Sequence, residues 1–198
     1  MKIRALIFDV GKVLLFDREK NDYERFEEFL HLKKNSFREF YKIYRPKLQR
    51  GKMGSEEFFA LTKKKFNFKE SVPEIIATWN RAHFDNLETN EELLNLIKKL
   101  KKKYIVGIIS NVASFHLDEN MPIYKEFDPC IFSSKVGMAK PDREIFDLML
   151  EKIKLKAEEC IFIDDHAEMA EGAGKLGFNT ILFENNHKLI QQLKRFGV

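Results

Sequence analysis

The chain has 198 residues, with 35 Lys and Arg against 31 Asp and Glu, a formal net charge of +4. That length suits one domain, or one core with an insert, and 44% hydrophobic against 33% charged residues excludes a disordered tail. No apolar run reaches the ~18 residues of a membrane span. The apolar start is broken at Asp9 with no small-residue cleavage site behind it, so a cytoplasmic protein without membrane association is expected.

The first apolar run, Ile3–Phe8, has the length and near-continuous hydrophobicity of a strand covered on both faces. It ends in Asp9. Residues 17–87 then change character: Tyr23, Phe26, Phe29 and Leu30, then Phe37, Phe40, Tyr41 and Tyr44, then Phe58, Phe59 and Leu61, then Ile75, Ile76 and Trp79 recur at helical spacing. Gly51, Gly54 and Pro73 punctuate the segment. It reads as a helical insert, with Trp79 in its core; Arg45, Asn80, Arg81 and the run Arg50-Gly51-Lys52 are the groups in it that could face an anion.

From Thr89 the pattern alternates. Thr89-Asn-Glu-Glu92 is a capping-box signature for a helix reaching about Lys103. Strands are expected at Ile105–Ser110, Cys130–Ser133, Cys160–Asp164 and Thr180–Phe183. Pro141 suits the first turn of the helix carrying Ile145, Leu148, Met149 and Ile153, and Gly177 ends a third helix. Such alternation predicts an α/β fold, a parallel sheet with helices on both faces in three layers. Cys130 and Cys160 head two of the strands at a spacing that fits buried thiols rather than a disulfide framework. The Lys63–Lys65 and Lys101–Lys103 runs end helical patterns, where cations suit the helix dipole. No reading motif accompanies them, and no nucleic-acid partner is expected.

In open α/β sheets, ligands gather outside the carboxyl ends of the strands. The polar residues there are Asp9, Ser110, Asn111, Asp164 and Asp165, with Lys140 opening the helix after the third strand. Carboxylates gathered at one site repel unless a cation neutralises them, and all-oxygen ligation favours Mg²⁺ with positions left for a phosphate. Lys140 and Ser110 can hold phosphate oxygens, and an in-line carboxylate can act as nucleophile.

The order Phe8-Asp9-Val10-Gly11-Lys12-Val13, Ile109-Ser110-Asn111, Lys140-Pro141 and Phe162-Ile163-Asp164-Asp165 resembles the four motifs of the haloacid dehalogenase (HAD) superfamily. The resemblance implies a Rossmannoid core formed by 1–16 and 88–198, with 17–87 as a helical cap. It implies Asp9 as aspartyl nucleophile, with Ser110, Asn111 and Lys140 on the phosphoryl group or substrate. Mg²⁺ would be bound by Asp9, the Gly11 carbonyl and Asp165, with Asp164 behind them or as an alternative ligand. The implied activity is phosphatase action on a small phosphorylated metabolite, a sugar phosphate first.

Three positions depart from the pattern. Gly11 stands where phosphatases of this family usually carry a second Asp as general acid and base, a role typically worth ~10²–10⁴-fold. Its absence favours leaving groups that depart unprotonated, as in the branch that includes sugar-1-phosphate phosphatases. Lys12 replaces a frequent Asn, and either adds phosphate affinity or faces solvent. Met169 replaces a small polar residue, and reads as helix packing. Gly172-Ala-Gly-Lys-Leu-Gly177 matches a dinucleotide fingerprint literally, but it closes a helix rather than opening one. The five histidines show no metal-ligand spacing; His166, beside Asp165, is either an acid–base substitute or a solvent-exposed cap. Two other functions compete: a non-catalytic HAD-like binding protein, suggested by Gly11, Lys12 and Met169, and a metal-independent 2-haloacid dehalogenase, which the acidic pair opposes.

Overall fold

The computed structural model describes residues 2–198, so Met1, at the head of the expected 1–16 core segment, lies outside the described residues. Five strands form one parallel sheet: β1 (Ala5–Phe8), β4 (Ile105–Ser110), β5 (Cys130–Phe132), β6 (Cys160–Asp164) and β7 (Asn179–Leu182). Their order is β5-β4-β1-β6-β7, with β1 central and Phe8 in register with Ile108 on one side and Ile163 on the other. All of β1 and β6 is buried, which is why these runs read as continuously apolar rather than alternating. The five strands fall where the apolar runs place them, within a residue or two at the ends.

Two apolar clusters lie on the two faces of this sheet. Leu6, Phe8, Ile108, Ile161 and Ile163 pack on one face with α5 (Glu91–Leu100) and α9 (Asn186–Arg195), which supply Leu93, Ile97, Leu189 and Leu193. Ile7, Ile109 and Phe162 pack on the other with α7 (Arg143–Ile153) and α8 (Ala167–Lys175), through Ile145, Phe146, Met149 and Ala173. Alternate residues of one strand therefore serve opposite cores, as a pleated strand requires. The result is the three-layer α/β fold expected.

Two helix starts differ in detail from the sequence reading. Asn90, not Thr89, caps α5, its side chain accepting from the Leu93 amide at 3.2 Å. Pro141 precedes the Asp142 cap of α7 instead of entering its first turn. A short antiparallel pair, β2 (Leu15–Asp17) with β3 (Leu87–Thr89), was not foreseen. Each strand is three residues long, too short for a period-2 signal.

Between β2 and β3 the chain forms four helices: α1 (Asp22–Phe29), α2 (Ser36–Gln49), α3 (Ser55–Phe66) and α4 (Val72–Phe84). Phe26, Phe37, Phe58, Phe59 and Trp79 are fully buried among them, with edge and tilted ring contacts such as Phe26–Trp79 at 5.2 Å. Buried Glu27 holds the α1–α2 connection, accepting from the amides of Asn35 at 2.7 Å and Phe37 at 2.8 Å. The helical group is seated on the sheet domain at the end of α2. There the Arg50 guanidinium meets Asp142 at 2.5 Å, and Gln49 donates to the Asn111 carbonyl at 3.2 Å. Gly51 makes this approach possible: a Cβ on it would stand 2.3 Å from the Ser134 carbonyl oxygen. No helix among the described residues is long and apolar enough to cross a membrane.

Candidate active site

Asp9, Ser110 and Asp164 lie at the carboxyl ends of three adjacent strands, β1, β4 and β6, so the sheet itself brings them together. Lys140 reaches the group from the loop before α7. Its ammonium lies 2.6 Å from Asp9 Oδ1 and 2.6 Å from Asp164 Oδ2, with its side chain 2% exposed. Asp165 completes an acidic trio: one carboxylate oxygen from each of Asp9, Asp164 and Asp165 falls within 4.8 Å of the others.

The surroundings of Lys140 show how a flexible side chain is aimed. Asn111 Oδ1 accepts from the Lys140 amide at 2.8 Å, and its Nδ2 donates to the Lys140 carbonyl at 2.8 Å. The Asn111 side chain thus braces the Lys140 backbone through both its oxygen and its nitrogen. Ser133, at the end of β5, accepts from the Val112 amide at 2.9 Å and ties down the same loop. On the other side, Gly172 of α8 lies so close to Pro141 that a Cβ would meet the proline Cβ at 2.7 Å. The glycine of the false dinucleotide match therefore serves helix-to-loop packing beside Lys140.

Burial pushes the Asp9 carboxyl above its ordinary value; the Lys140 ammonium pulls it back, and Asp164 raises it again. For Lys140, burial acts downward, but the carboxylates of Asp9 and Asp164 more than offset it, so the group stays an ammonium. Asp165 is raised by burial and by Asp164, against a pull from His166 and Lys12. Three carboxylates against one ammonium leave a formal charge of −2, matched by one divalent cation. Hard oxygen donors of this kind suit Mg²⁺. Asp164 is the most enclosed of the three, and its second oxygen accepts from the His166 amide at 2.8 Å, which leaves Asp9 and the half-buried Asp165 the more accessible ligands.

The remaining sequence candidates fall as follows. Gly11 is exposed, and nothing lies within 4 Å of where its Cβ would be. Lys12 is exposed at φ 57°, its amide bonded to the Leu15 carbonyl at 2.7 Å. Met169 packs against the core on the α7–α8 face. The His166 ring is 59% exposed, 3.8 Å from Asp165. Trp79 is core, and Arg81 stacks on Phe29 at 4.4 Å. Sequence reasoning missed Ser133, although a serine closing a core strand is a readable signal, and it missed the Gln49–Gly51 contact, which has none. It also found no metal spacing among the histidines, whereas folding brings His83 and His116 to Asp22.

Residues 3–177 match the model of the haloacid dehalogenase-like hydrolases. The chain belongs to that family. Among curated relatives, it is 26% identical over 155 residues to the D-ribitol-5-phosphate phosphatase of Bacteroides thetaiotaomicron, covering 74% of each chain. It is 25% identical to the mouse bifunctional epoxide hydrolase 2 over 98% of its own length but 39% of the relative's. The chain thus spans about two fifths of that protein, and less of the next relatives matched. A solved HAD family enzyme of B. thetaiotaomicron, in complex with magnesium and inorganic phosphate, superposes with a TM-score of 0.77 at 25% identity, covering 94% of this chain and 98% of that one. A 2-haloacid dehalogenase from Pseudomonas syringae shares the fold at a TM-score of 0.70 and 14% identity.

Proposed function

We propose that this chain is a Mg²⁺-dependent phosphatase acting on a small phosphorylated metabolite, a sugar phosphate first, through a covalent intermediate on Asp9. The observation that carries the reading is Lys140, clamped between Asp9 and Asp164 with Asp165 alongside: a nucleophile, a phosphate-binding cation and a divalent-ion donor set in one crevice. The matched phosphatase and the magnesium–phosphate complex of the solved relative support it.

Asp9, Asp165 and the Gly11 carbonyl would hold the ion, with Asp164 behind them. When bound, the ion offsets charge on the phosphoryl oxygens. Asp9 attacks phosphorus: a carboxylate O–P bond forms as the bond to the leaving oxygen breaks. Lys140 and Ser110 hold the equatorial oxygens as charge builds on them. Water then attacks the acyl phosphate, giving inorganic phosphate and free Asp9. Gly11 supplies no proton to the leaving oxygen, so substrates whose leaving groups depart as stable anions, such as anomeric or acyl phosphates, react best. Residues 17–87 act as the cap over this crevice, the rest forming the core, and the Arg50–Asp142 contact seats the cap beside Lys140.

The test is phosphate release from sugar 1-phosphates, sugar 6-phosphates and acyl phosphates, with Mg²⁺ or EDTA and with Asp9→Asn as control. Release that needs both Mg²⁺ and Asp9 is expected. Turnover of a 2-haloacid undiminished by EDTA would replace this reading with the dehalogenase one; ligand binding without turnover would replace it with a binding function.

A further inference from the structure

Outside the acidic crevice, three side chains distant in sequence converge where the helical group meets the sheet domain. Asp22 opens α1, His83 lies in the last turn of α4, and His116 ends the 3-10 turn Ser114–His116 that follows β4. Asp22 Oδ2 is 3.0 Å from His83 Nδ1, and one donor atom from each of the three residues lies within 4.8 Å of the others. His83 and His116 face one another with ring centroids 4.7 Å apart.

Three features suit this group to holding a metal ion. First, His116 Nε2 is buried and has no hydrogen-bond partner, a vacancy that native structures rarely leave unexplained. Second, the carboxylate is already oriented: Asp22 Oδ1 accepts from the Tyr23 amide at 2.9 Å, which turns Oδ2 toward the imidazole. An outer partner of that kind is what aligns metal ligands. Third, the 3.0 Å between Oδ2 and Nδ1 is close to the edge of about 3.3 Å in a tetrahedron whose centre lies ~2.0 Å from each donor. Trp79, Phe115 and Tyr41 wall the site with rings. Asp22 and His83 each keep 13% of their side chains exposed, which provides a way in.

We propose that Asp22, His83 and His116 bind a divalent transition-metal ion of the Zn²⁺ class, which clasps α1 and α4 to the loop after β4. Two imidazoles and one carboxylate form a borderline donor set that prefers Zn²⁺ or Co²⁺ to the Mg²⁺ suited to the all-oxygen crevice. Three protein ligands leave a fourth position for water. Two of the three ligands also stand in the required protonation states: burial holds His116 neutral, with a pKa of about 3, and although burial acts upward on Asp22, the His83 contact leaves its carboxyl low.

The test uses the full chain with Asp9→Asn and Asp165→Asn, in excess Mg²⁺, so that the acidic crevice does not compete for the probe. Titration with Co²⁺ should give visible absorption of tetrahedral type that saturates at one ion per chain and is displaced by Zn²⁺. His116→Phe keeps the ring packing, and Asp22→Asn keeps the shape. Each should weaken Co²⁺ by more than the about 10–100-fold that loss of an outer partner alone costs. Unchanged affinity in folded His116→Phe, or no saturable site in the parent, would overturn the proposal. Should His116→Phe and Asp22→Asn not fold, the parent bearing only Asp9→Asn and Asp165→Asn still decides: Zn²⁺ must shift the imidazole resonances of His83 and His116, and movement of His31, His166 or His187 instead would refute the assignment.

Discussion

Replacing Lys140 by methionine keeps an unbranched side chain, one atom shorter, and removes the ammonium from between two buried carboxylates, each 2.6 Å away. Removing one partner of a buried ion pair costs about 3–5 kcal/mol, because it strands charge away from water. Here protonation sets a ceiling. A stranded carboxyl can bind a proton, and holding it at pH 7 against an ordinary pKa of about 3.9 costs roughly 4 kcal/mol, at 1.36 kcal/mol per pH unit. Lys140→Met should therefore destabilise the metal-free protein by about 3–4 kcal/mol at pH 7.

The sign of the pH dependence follows from Asp9. Its carboxyl already sits high through burial, with Asp164 adding to this, and the ammonium that draws it down is gone in the variant. A folded-state pKa above the unfolded value means the folded chain holds the extra proton as pH falls, so the deficit shrinks toward pH 3.9 and grows above it. Urea unfolding in EDTA at pH 5, 6 and 7, for parent and variant, measures this. The gap between them should close by about 1.4 kcal/mol per pH unit. A deficit below about 1 kcal/mol at pH 7, or one that does not change with pH, would show that Lys140 does not bear the charge balance assigned to it.

Three further outcomes follow from the geometry. Gly11→Asp places a carboxyl where nothing lies within 4 Å of the new Cβ. It should raise kcat on alkyl phosphates by up to the ~10²–10⁴-fold worth of acid–base help, with little effect on acyl phosphates; equal change on both, or none on either, contradicts the role given to this position. Asn111→Leu removes two 2.8 Å hydrogen bonds from the Lys140 backbone and should lower kcat/KM by roughly 10–100-fold, about 1–3 kcal/mol; steady-state kinetics at parental activity would return Asn111 to a bystander. His116, held neutral by burial with a pKa of about 3, makes metal-free protein acid-labile. The unfolded chain takes up a proton below about pH 6.5 and the folded chain does not, so up to roughly 5 kcal/mol is lost between pH 6.5 and 3. Chemical denaturation across that range should show His116→Phe with a flatter profile, and identical slopes would refute the cause.

The central sheet and the acidic crevice are legible in the chain because both are governed by local pattern. A strand covered on both faces must be apolar throughout, and β1, β4 and β6 are each closed by a polar residue, so Asp9, Ser110 and Asp164 stand out without coordinates. The helical nature of 17–87 shows in its aromatic spacing for the same reason. Adjacency across the chain is another matter. Nothing in the spacing announces that Asn111 would grip the Lys140 backbone, that Gly51 and Gly172 would admit a neighbouring main chain and a proline ring, or that Asp22, His83 and His116 would meet. The Gly51 approach and the Asp22 cluster depend on the angle at which four aromatic-packed helices settle on the sheet, and the Asn111 and Gly172 contacts on how the loops and α8 pack within the sheet domain; both are products of side-chain shapes summed over whole interfaces. Residue type and local period decide which elements form and what chemistry they carry; long-range packing decides which side chains touch.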